Sequence, residues 1–249
     1  MKKHSGNLIY SSKDAFGSLE VIDIQQRIRS LHFGNGTSQS AMFLYSPIPL
    51  IHKYTQALLT PLCGIQAKRI LILGMGAGSI AKFLEHHFKE IKVDVVELRA
   101  AVINIAKEYF SLPNESENFI IHNISAQDFI QQNNNQYDLI IVDLFLTTTK
   151  KTDTTIDIAS SYTKLSHMLS TQGFLSINLI GSDYQRYSGY ESLCEIYQHN
   201  LYYIDIEKQN TILIAGRHTL EKNIDFDFSR HEKKHQLPWR HYFNTLNKI

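Results

Sequence analysis

The chain has 249 residues with a formal net charge of +1, and 43% of its residues are hydrophobic. This is enough apolar material for one large domain, or for one domain with a small appendage. The balanced charge, without a run of Lys and Arg, disfavours a nucleic-acid surface, and no apolar stretch approaches the roughly 20 residues of a membrane helix.

The N-terminal part predicts a small antiparallel β appendage. The first residues are charged, but no apolar segment follows, so we expect no signal peptide and a cytoplasmic protein. Residues 1–15 are polar and are predicted to be loose. Strands are predicted over residues 19–24, 27–33 and 37–44, with a turn at 34–36. We therefore divide the chain into a β-hairpin appendage over residues 1–48 and a larger domain over residues 49–249.

The larger domain begins with a helical stripe and then a glycine-rich turn. Leu50 to Leu62 has helical spacing and includes Tyr54. Further along, the apolar run 70–73 leads into three glycines at alternate positions, Gly74, Gly76 and Gly78, and a helical pattern follows. This order predicts a buried strand, a tight turn and a helix. Glycine lets a ligand approach the backbone closely, and the helix start offers free N–H groups.

The next strand carries an acid at its end and suggests which ligand binds. Residues 93–96 are strand-like and lead into Glu97, which is placed to accept hydrogen bonds from ribose hydroxyls. The dinucleotide fingerprint would require glycine at position 79, where Ser79 stands. The pattern G-x-G-x-G instead resembles the first motif of class I S-adenosylmethionine (SAM) methyltransferases, so we favour an adenosyl sulfonium ligand over NAD.

Strands and helices then alternate, which predicts an α/β fold with a mostly parallel, doubly wound sheet. Ser125 and Asp128 are spaced as a capping box at the start of a helix. A continuous apolar strand ends in Asp143. Ligands of open α/β sheets bind outside the carboxyl ends of the strands, so Asp143 is predicted to share a crevice with Gly76 and Glu97.

The remaining segments complete this pattern. Residues 144–155 are rich in Thr and Lys and are predicted to form a mobile lid. Residues 158–169 predict a helix, and the last thirty residues predict a helical, partly exposed tail. Strands are predicted over residues 174–179, 202–206 and 211–215, the last two as an antiparallel pair.

Taken together, these residues resemble the spermidine synthase (polyamine aminopropyltransferase) family, in its bacterial spermidine-synthase-like branch on the Rossmann-like SAM methyltransferase fold. The resemblance runs from about Gly17 to Arg217. It implies nucleoside contacts by Gln39, a ribose acid at Glu97, and a catalytic base at Asp143 that also binds the amine substrate. It further places Tyr54 at the substrate, and Ser125 and the backbone of Ala126 at the adenine.

The resemblance also implies the partners. The co-substrate would be decarboxylated SAM or SAM, with a small-molecule amine as acceptor, no metal or prosthetic group, and a homodimer without nucleic acid or membrane. Two family acids are replaced, one by Ala77 in the glycine loop and one by Leu146 after the catalytic aspartate. These acids hold the far ammonium groups of polyamines, so the nucleoside half of the site is kept better than the polyamine half.

Three functions stay open on the sequence. The first is aminopropyl transfer from decarboxylated SAM to an amine. The second is methyl transfer from SAM on the same fold, with Asp143 positioning or deprotonating another nucleophile. The third is nucleoside binding without catalysis.

Overall fold

The structure is a computed structural model that describes residues 6–34, 38–144, 159–223 and 225–249. Their strands form an N-terminal four-stranded antiparallel sheet and a central eight-stranded sheet. The strands of the N-terminal sheet are β1 (Asn7–Asp14), β2 (Gly17–Ile24), β3 (Ile28–Phe33) and β4 (Ser38–Phe43). β2, β3 and β4 confirm the three predicted strands, while part of the turn predicted at 34–36 lies outside the described residues.

The prediction that residues 1–15 are loose is wrong for residues 7–14, which form β1 and pair with β2. Most side chains of β1 are exposed, so it lacks the apolar face by which a strand is recognised in sequence. Arg99 of the central part donates to both carboxylate oxygens of Asp14, at 3.0 and 2.8 Å. This ion pair holds β1 against the same turn that carries Glu97.

The central sheet is formed by β5 (Arg69–Leu73), β6 (Lys92–Val96), β7 (Phe119–His122), β8 (Tyr137–Val142), β9 (Leu169–Ile180), β10 (Leu201–Ile206), β11 (Asn210–Gly216) and β12 (Asn247–Lys248). Their spatial order is β12-β10-β11-β9-β8-β5-β6-β7. β5 to β9 are parallel to their neighbours among themselves, whereas β9, β10, β11 and β12 pair antiparallel. The mostly parallel sheet and the antiparallel pair of the prediction are confirmed.

Helices cover both faces of the central sheet. They are α1 (Lys53–Ala57), α2 (Ser79–His87), α3 (Ala100–Tyr109), α4 (Ala126–Gln132), α5 (Tyr162–His167), α6 (Tyr190–Tyr197), α7 (Phe228–His235) and α8 (Trp239–Asn244). Alternate residues of β5 enter two apolar clusters, Ile70 and Ile72 on one face and Leu71 and Leu73 on the other. The first cluster includes residues of the N-terminal sheet. No helix in the described part of the chain is long and apolar enough to cross a membrane.

Two predicted helices are shorter in the structure. The stripe from Leu50 to Leu62 becomes α1 and a separate 3-10 turn at Thr60–Cys63, because Pro61 cannot donate an N–H to a continued α-helix. The helix predicted over residues 158–169 ends at His167 in α5, since Leu169 already pairs with Tyr137 in the sheet. β9 consequently begins earlier than the predicted strand at 174–179.

The C-terminal tail is helical as predicted, but it is less exposed than expected. Trp239 is fully buried, and Leu237 and Tyr242 are buried with it in the cluster that reaches the N-terminal sheet. His235 at the end of α7 is 1% exposed. The tail therefore contributes to the core rather than lying on it.

Candidate functional site

The glycine turn between β5 and α2 has a backbone that only glycine adopts readily. Gly74, Gly76 and Gly78 have φ of 90°, 53° and 75°, in the left-handed region that disfavours other residues. A β-carbon on Gly76 would lie 2.5 Å from Oγ of Ser40. A β-carbon on Gly74 would collide with the backbone oxygen of Asp143. The turn is thus constrained both by its own conformation and by β4 and β8 on either side.

Glu97 follows β6, and its carboxylate is hydrogen-bonded to the glycine turn. The residue is 9% exposed, and its carboxylate accepts a hydrogen bond from the N–H of Met75 at 3.2 Å and from the N–H of Arg99 at 2.8 Å. Burial raises the pKa of Glu97, and the N–H groups of Arg99 and Met75 act in the opposite direction. The predicted ribose acid therefore also ties the glycine turn to the turn after β6.

The register of the parallel strands brings the polar residues into one line. Leu73 pairs with both Val96 and Val142, and Val142 pairs with Ile177. The residues that follow these positions are Gly74, Glu97, Asp143 and Asn178. Asn210 of β11 extends this line, because its side chain is hydrogen-bonded to Asn178. We call the five residues the polar row: Asn210, Asn178, Asp143, Gly74 and Glu97.

Side-chain hydrogen bonds connect one end of the polar row. Nδ2 of Asn178 donates to Oδ1 of Asp143 at 2.9 Å, and Nδ2 of Asn210 donates to Oδ1 of Asn178 at 2.9 Å. Burial raises the pKa of Asp143 to about 6, while the hydrogen bond from Asn178 acts to lower it. Asp143 is therefore a carboxylate with increased basicity that is still ionised near neutral pH.

A small cleft opens where this row meets α1 and β4. Its walls include Tyr54, Gly74 and Asp143. The Tyr54 hydroxyl donates to the backbone oxygen of Gln39 at 3.2 Å. Burial, followed by the nearby charge of Asp143, raises the pKa of Tyr54 well above its ordinary value. Tyr54 thus presents a neutral phenol beside the carboxylate.

The family model for the spermine/spermidine synthase domain matches residues 52–178, which is just over half of the chain. The chain belongs to the spermine/spermidine synthase family.

The relatives of this family member agree with the fold. A polyamine aminopropyltransferase from Neisseria meningitidis is 31% identical over 147 residues, covering 58% of this chain and 56% of the relative. The chain thus spans about half the length of the curated relatives it matches. The structure of a probable spermidine synthase from Corynebacterium glutamicum superimposes with a TM-score of 0.73 at 19% identity, covering 92% of this chain and 86% of that one.

A second kind of structure shares the fold. Human methyltransferase-like protein 13, solved in complex with SAH, matches with a TM-score of 0.55 at 23% identity, covering 76% of this chain and 89% of that chain. At these identities the solved structures show the fold alone. They confirm the predicted Rossmann-like α/β architecture with its N-terminal antiparallel sheet.

Within this family member, the predicted site residues fall into three groups. Tyr54, Gly74 and Asp143 line the cleft together. Gln39 and Glu97 lie at its margin, because the first accepts the hydrogen bond of Tyr54 and the second accepts from Met75, a lining residue. Gly76 and Gly78 complete the turn without lining the cleft. The ligand roles of all these residues stay predictions.

Ser125 and Ala126 lie at the start of α4 and outside the cleft wall. Oγ of Ser125 accepts from the N–H of Asp128 at 3.0 Å and donates to its carboxylate at 2.6 Å. The predicted pairing of serine and acid is confirmed, with the serine hydroxyl as the acid's partner. Ala126 is 8% exposed and packs in the apolar cluster that contains Leu71 and Leu73. Their predicted contacts with adenine stay predictions.

Of the two residues that replace the family acids, the structure describes Ala77 but not Leu146. Ala77 is buried, and its N–H donates to Oγ of Ser40 at 3.0 Å, so a serine of β4 binds the glycine turn at this place. Leu146 and the predicted lid, apart from Leu144, lie outside the described residues.

Sequence reasoning missed four residues at this site. Ser40 and His52 line the cleft, and Asn178 and Asn210 bind Asp143 directly and indirectly. Ser40 carries no signal, since a serine in a hairpin strand is unremarkable in composition. Asn178 did carry one, because an amide interrupts the apolar residues near the carboxyl end of β9, and ligands of open α/β sheets bind outside those ends.

Proposed function

We propose that this chain is a transferase that moves the aminopropyl group of decarboxylated SAM to an amine acceptor, as a step of polyamine biosynthesis. The observation that carries the proposal is the carboxylate of Asp143, held by Asn178 and placed in the same cleft as Gly74 of the glycine turn. Membership of the spermine/spermidine synthase family supports the choice of this reaction among those of the fold.

The chemistry requires a base at this position. An alkylammonium has a pKa of about 10, so it is not a nucleophile in its usual form. A carboxylate can bind the ammonium, take one proton and leave the lone pair free to attack. The nitrogen then forms a bond to the carbon beside the sulfonium, the carbon–sulfur bond breaks, and 5′-methylthioadenosine leaves with the electron pair. The sulfonium is already activated, so alignment of the two reactants supplies much of the rate.

The electrostatics of Asp143 suit this role. Its pKa of about 6 is above the ordinary value for aspartate and nearer to the working pH, which favours general-base catalysis. At neutral pH most molecules still carry the ionised form. The neutral phenol of Tyr54 stands beside it and provides an uncharged wall for the amine.

The other half of the site supports a bound nucleoside. The left-handed glycine turn leads into α2, whose N-terminus has no side-chain cap among the described residues, so its first N–H groups are available to a ligand. In the proposal Glu97 accepts from the ribose hydroxyls, Gln39 contacts the nucleoside, and Ser125 with the backbone of Ala126 faces the adenine. The co-substrate is decarboxylated SAM, used without metal or prosthetic group.

The acceptor we propose is a small amine with one ammonium group close to Asp143. Ala77 is buried and offers no carboxylate where the resemblance expects one. A long polyamine would therefore leave an ammonium group without its partner. We include in the proposal a cytoplasmic homodimer that binds neither nucleic acid nor membrane, and light scattering of the purified protein tests the dimer.

The experiment is a donor and acceptor matrix. The purified chain is incubated with decarboxylated SAM or SAM and with a panel of mono-, di- and triamines, and products are quantified by mass spectrometry. We expect 5′-methylthioadenosine and an aminopropylated amine in equal amounts, with short amines preferred. Turnover of neither donor with any amine would contradict the proposal, and would leave a methyltransferase with a different acceptor or a nucleoside-binding relative.

A methyltransferase is the second candidate, and the replacement at Ala77 is the observation that favours it. Without the polyamine acids, the cleft no longer selects for an aminopropyl acceptor. In the same matrix this candidate predicts S-adenosylhomocysteine from SAM and no product from decarboxylated SAM.

A further inference from the structure

Asn178 is a buried polar residue of β9 whose neighbours along the strand are apolar. It is 5% exposed, and it lies opposite Ile212 of β11. Phe174, on the same face of β9, belongs to the apolar cluster together with Ile212. Burying an amide without hydrogen bonds is energetically unfavourable. The hydrogen bonds of Asn178 with Asp143 and Asn210 offset this cost.

The side-chain hydrogen bonds that link Asn210, Asn178 and Asp143 all run in one direction when Asp143 is ionised. A carboxylate only accepts, so Asn178 must present its NH₂ group to Asp143 and its carbonyl oxygen away from it. That oxygen needs a donor, and Nδ2 of Asn210 supplies one at 2.9 Å. A protonated Asp143 would accept the hydrogen bond from Asn178 more weakly, because its carbonyl oxygen carries less negative charge than a carboxylate oxygen. The order Asn210, Asn178, Asp143 therefore favours the ionised carboxylate.

The sheet also fixes the position of these groups. Val142 pairs with Ile177 in the parallel ladder, which places Asp143 beside Asn178 one residue later. The N–H of Asp143 donates to the backbone oxygen of Leu73 at 2.8 Å. With its backbone held by one neighbouring strand and Oδ1 held by another, the carboxylate has little freedom to rotate. Oδ2 is then the oxygen that the amine reaches.

We propose that Asn178 is a positioning residue, which with Asn210 behind it holds the Asp143 carboxylate ionised and oriented to accept the proton of the amine. The proposal rests on the proposed function for its catalytic consequence. Its electrostatic consequence, however, is independent of any substrate, and this separates the two in experiment.

The variants are Asn178→Leu, Asn178→Gln and Asn210→Leu. Ser176→Ala is a matched control, because Ser176 lies two residues earlier on the same face of β9, is 0% exposed, and has a hydroxyl without a partner among the described residues. Asn210 is only partly buried, so Asn210→Leu should fold even if Asn178→Leu does not. It therefore still tests whether these hydrogen bonds act on Asp143.

The first measurement is the titration of the Asp143 carboxyl carbon by ¹³C NMR, assigned by its loss in Asp143→Asn. We expect the midpoint to rise by about one pH unit in Asn178→Leu, since a hydrogen bond to a charged group has been removed. Asn210→Leu should give a smaller rise, and Ser176→Ala none. An unchanged midpoint in both asparagine variants would overturn the proposal, whether or not the protein turns over amines.

The second measurement is the pH profile of kcat with the best amine from the acceptor panel. Asn178→Leu should lower kcat by about 10–100-fold and move the acidic limb to higher pH, with little change in the KM for the sulfonium donor. Asn178→Gln should recover part of the rate. A lower rate with an unshifted profile would indicate a merely structural role. If the wild type turns over no amine, the proposed function fails, while the NMR titration still decides the role of Asn178.

Discussion

The two halves of the site differ in how they are built. The central part of the nucleoside half comes from one continuous stretch, from the glycine turn to Arg99, in which the Glu97 carboxylate accepts from the backbone N–H groups of Met75 and Arg99. The amine half is assembled from α1, β8, β9 and β11, and its bonds join side chains such as Asp143 and Asn178. A half held by backbone groups depends on few side chains, whereas a half held by side chains can change its selectivity by substitution.

The largest effect should come from adding a side chain to the glycine turn. Gly76→Val places a β-carbon 2.5 Å from Oγ of Ser40 at a φ of 53°, which is strained for any residue with a β-carbon. We expect a folded protein by circular dichroism that neither binds 5′-methylthioadenosine in calorimetry nor turns over. Normal nucleoside binding by this variant would place the ligand elsewhere.

The next effect breaks the amine half alone. Asp143→Asn keeps the shape of the side chain but removes the proton acceptor, and loss of a general base costs about 10²–10⁴-fold in rate. Nucleoside affinity should barely change, because the glycine turn and Glu97 lie in the other half. Full turnover by Asp143→Asn would remove the residue from the mechanism.

A smaller effect is expected from Glu97→Ala. Two charge-assisted hydrogen bonds to the ribose would be lost, which costs about 1.5–3 kcal/mol of binding free energy. Because Glu97 also holds the N–H of Met75, part of the loss would come from a looser turn. Glu97→Gln keeps an acceptor oxygen and is the matched control. Unchanged calorimetric affinity in Glu97→Ala would contradict the ribose assignment.

The last effect concerns stability, and it depends on pH. Burial raises the pKa of Asp143 to about 6, so ionising this carboxyl in the folded protein is unfavourable. The stability that the neutral carboxyl contributes is complete at acidic pH and is lost as the pH rises through about 6. Asp143→Asn should therefore have a higher melting temperature than the wild type at pH 8, by a shift on the order of 6–12 °C, because the raised pKa corresponds to about 3 kcal/mol, and the difference should shrink toward pH 4. An equal melting temperature at pH 8 would mean that the carboxylate is better solvated than its burial indicates.

Sequence patterns predicted the parallel sheet and the glycine turn well because both depend on local signals. The run 70–73, the three glycines and Glu97 follow one another, and periodicity identifies each element. The amine half required the strand register. Asn178 and Asn210 are far from Asp143 in sequence, and only the order of β8, β9 and β11 brings them together.

The other differences have the same origin. β1 has mostly exposed side chains, so its pairing with β2 leaves no apolar pattern in the sequence. The tail containing Trp239 has low overall hydrophobicity, and its burial depends on a surface formed by other parts of the chain. Such long-range packing overrides local propensity and is not encoded in any short window.

The length of β9 has a consequence for any attempt to shorten the protein. β9 has twelve residues, and its pairing with β11 runs from Phe174 opposite Gly216 to Ile180 opposite Asn210. The segment that matches the family model ends at residue 178, inside this strand. A fragment cut there would lose β11 and expose an unpaired, largely apolar strand edge, which is a template for intermolecular pairing. We expect the isolated family segment to aggregate in solution, although it contains most of the recognisable motif.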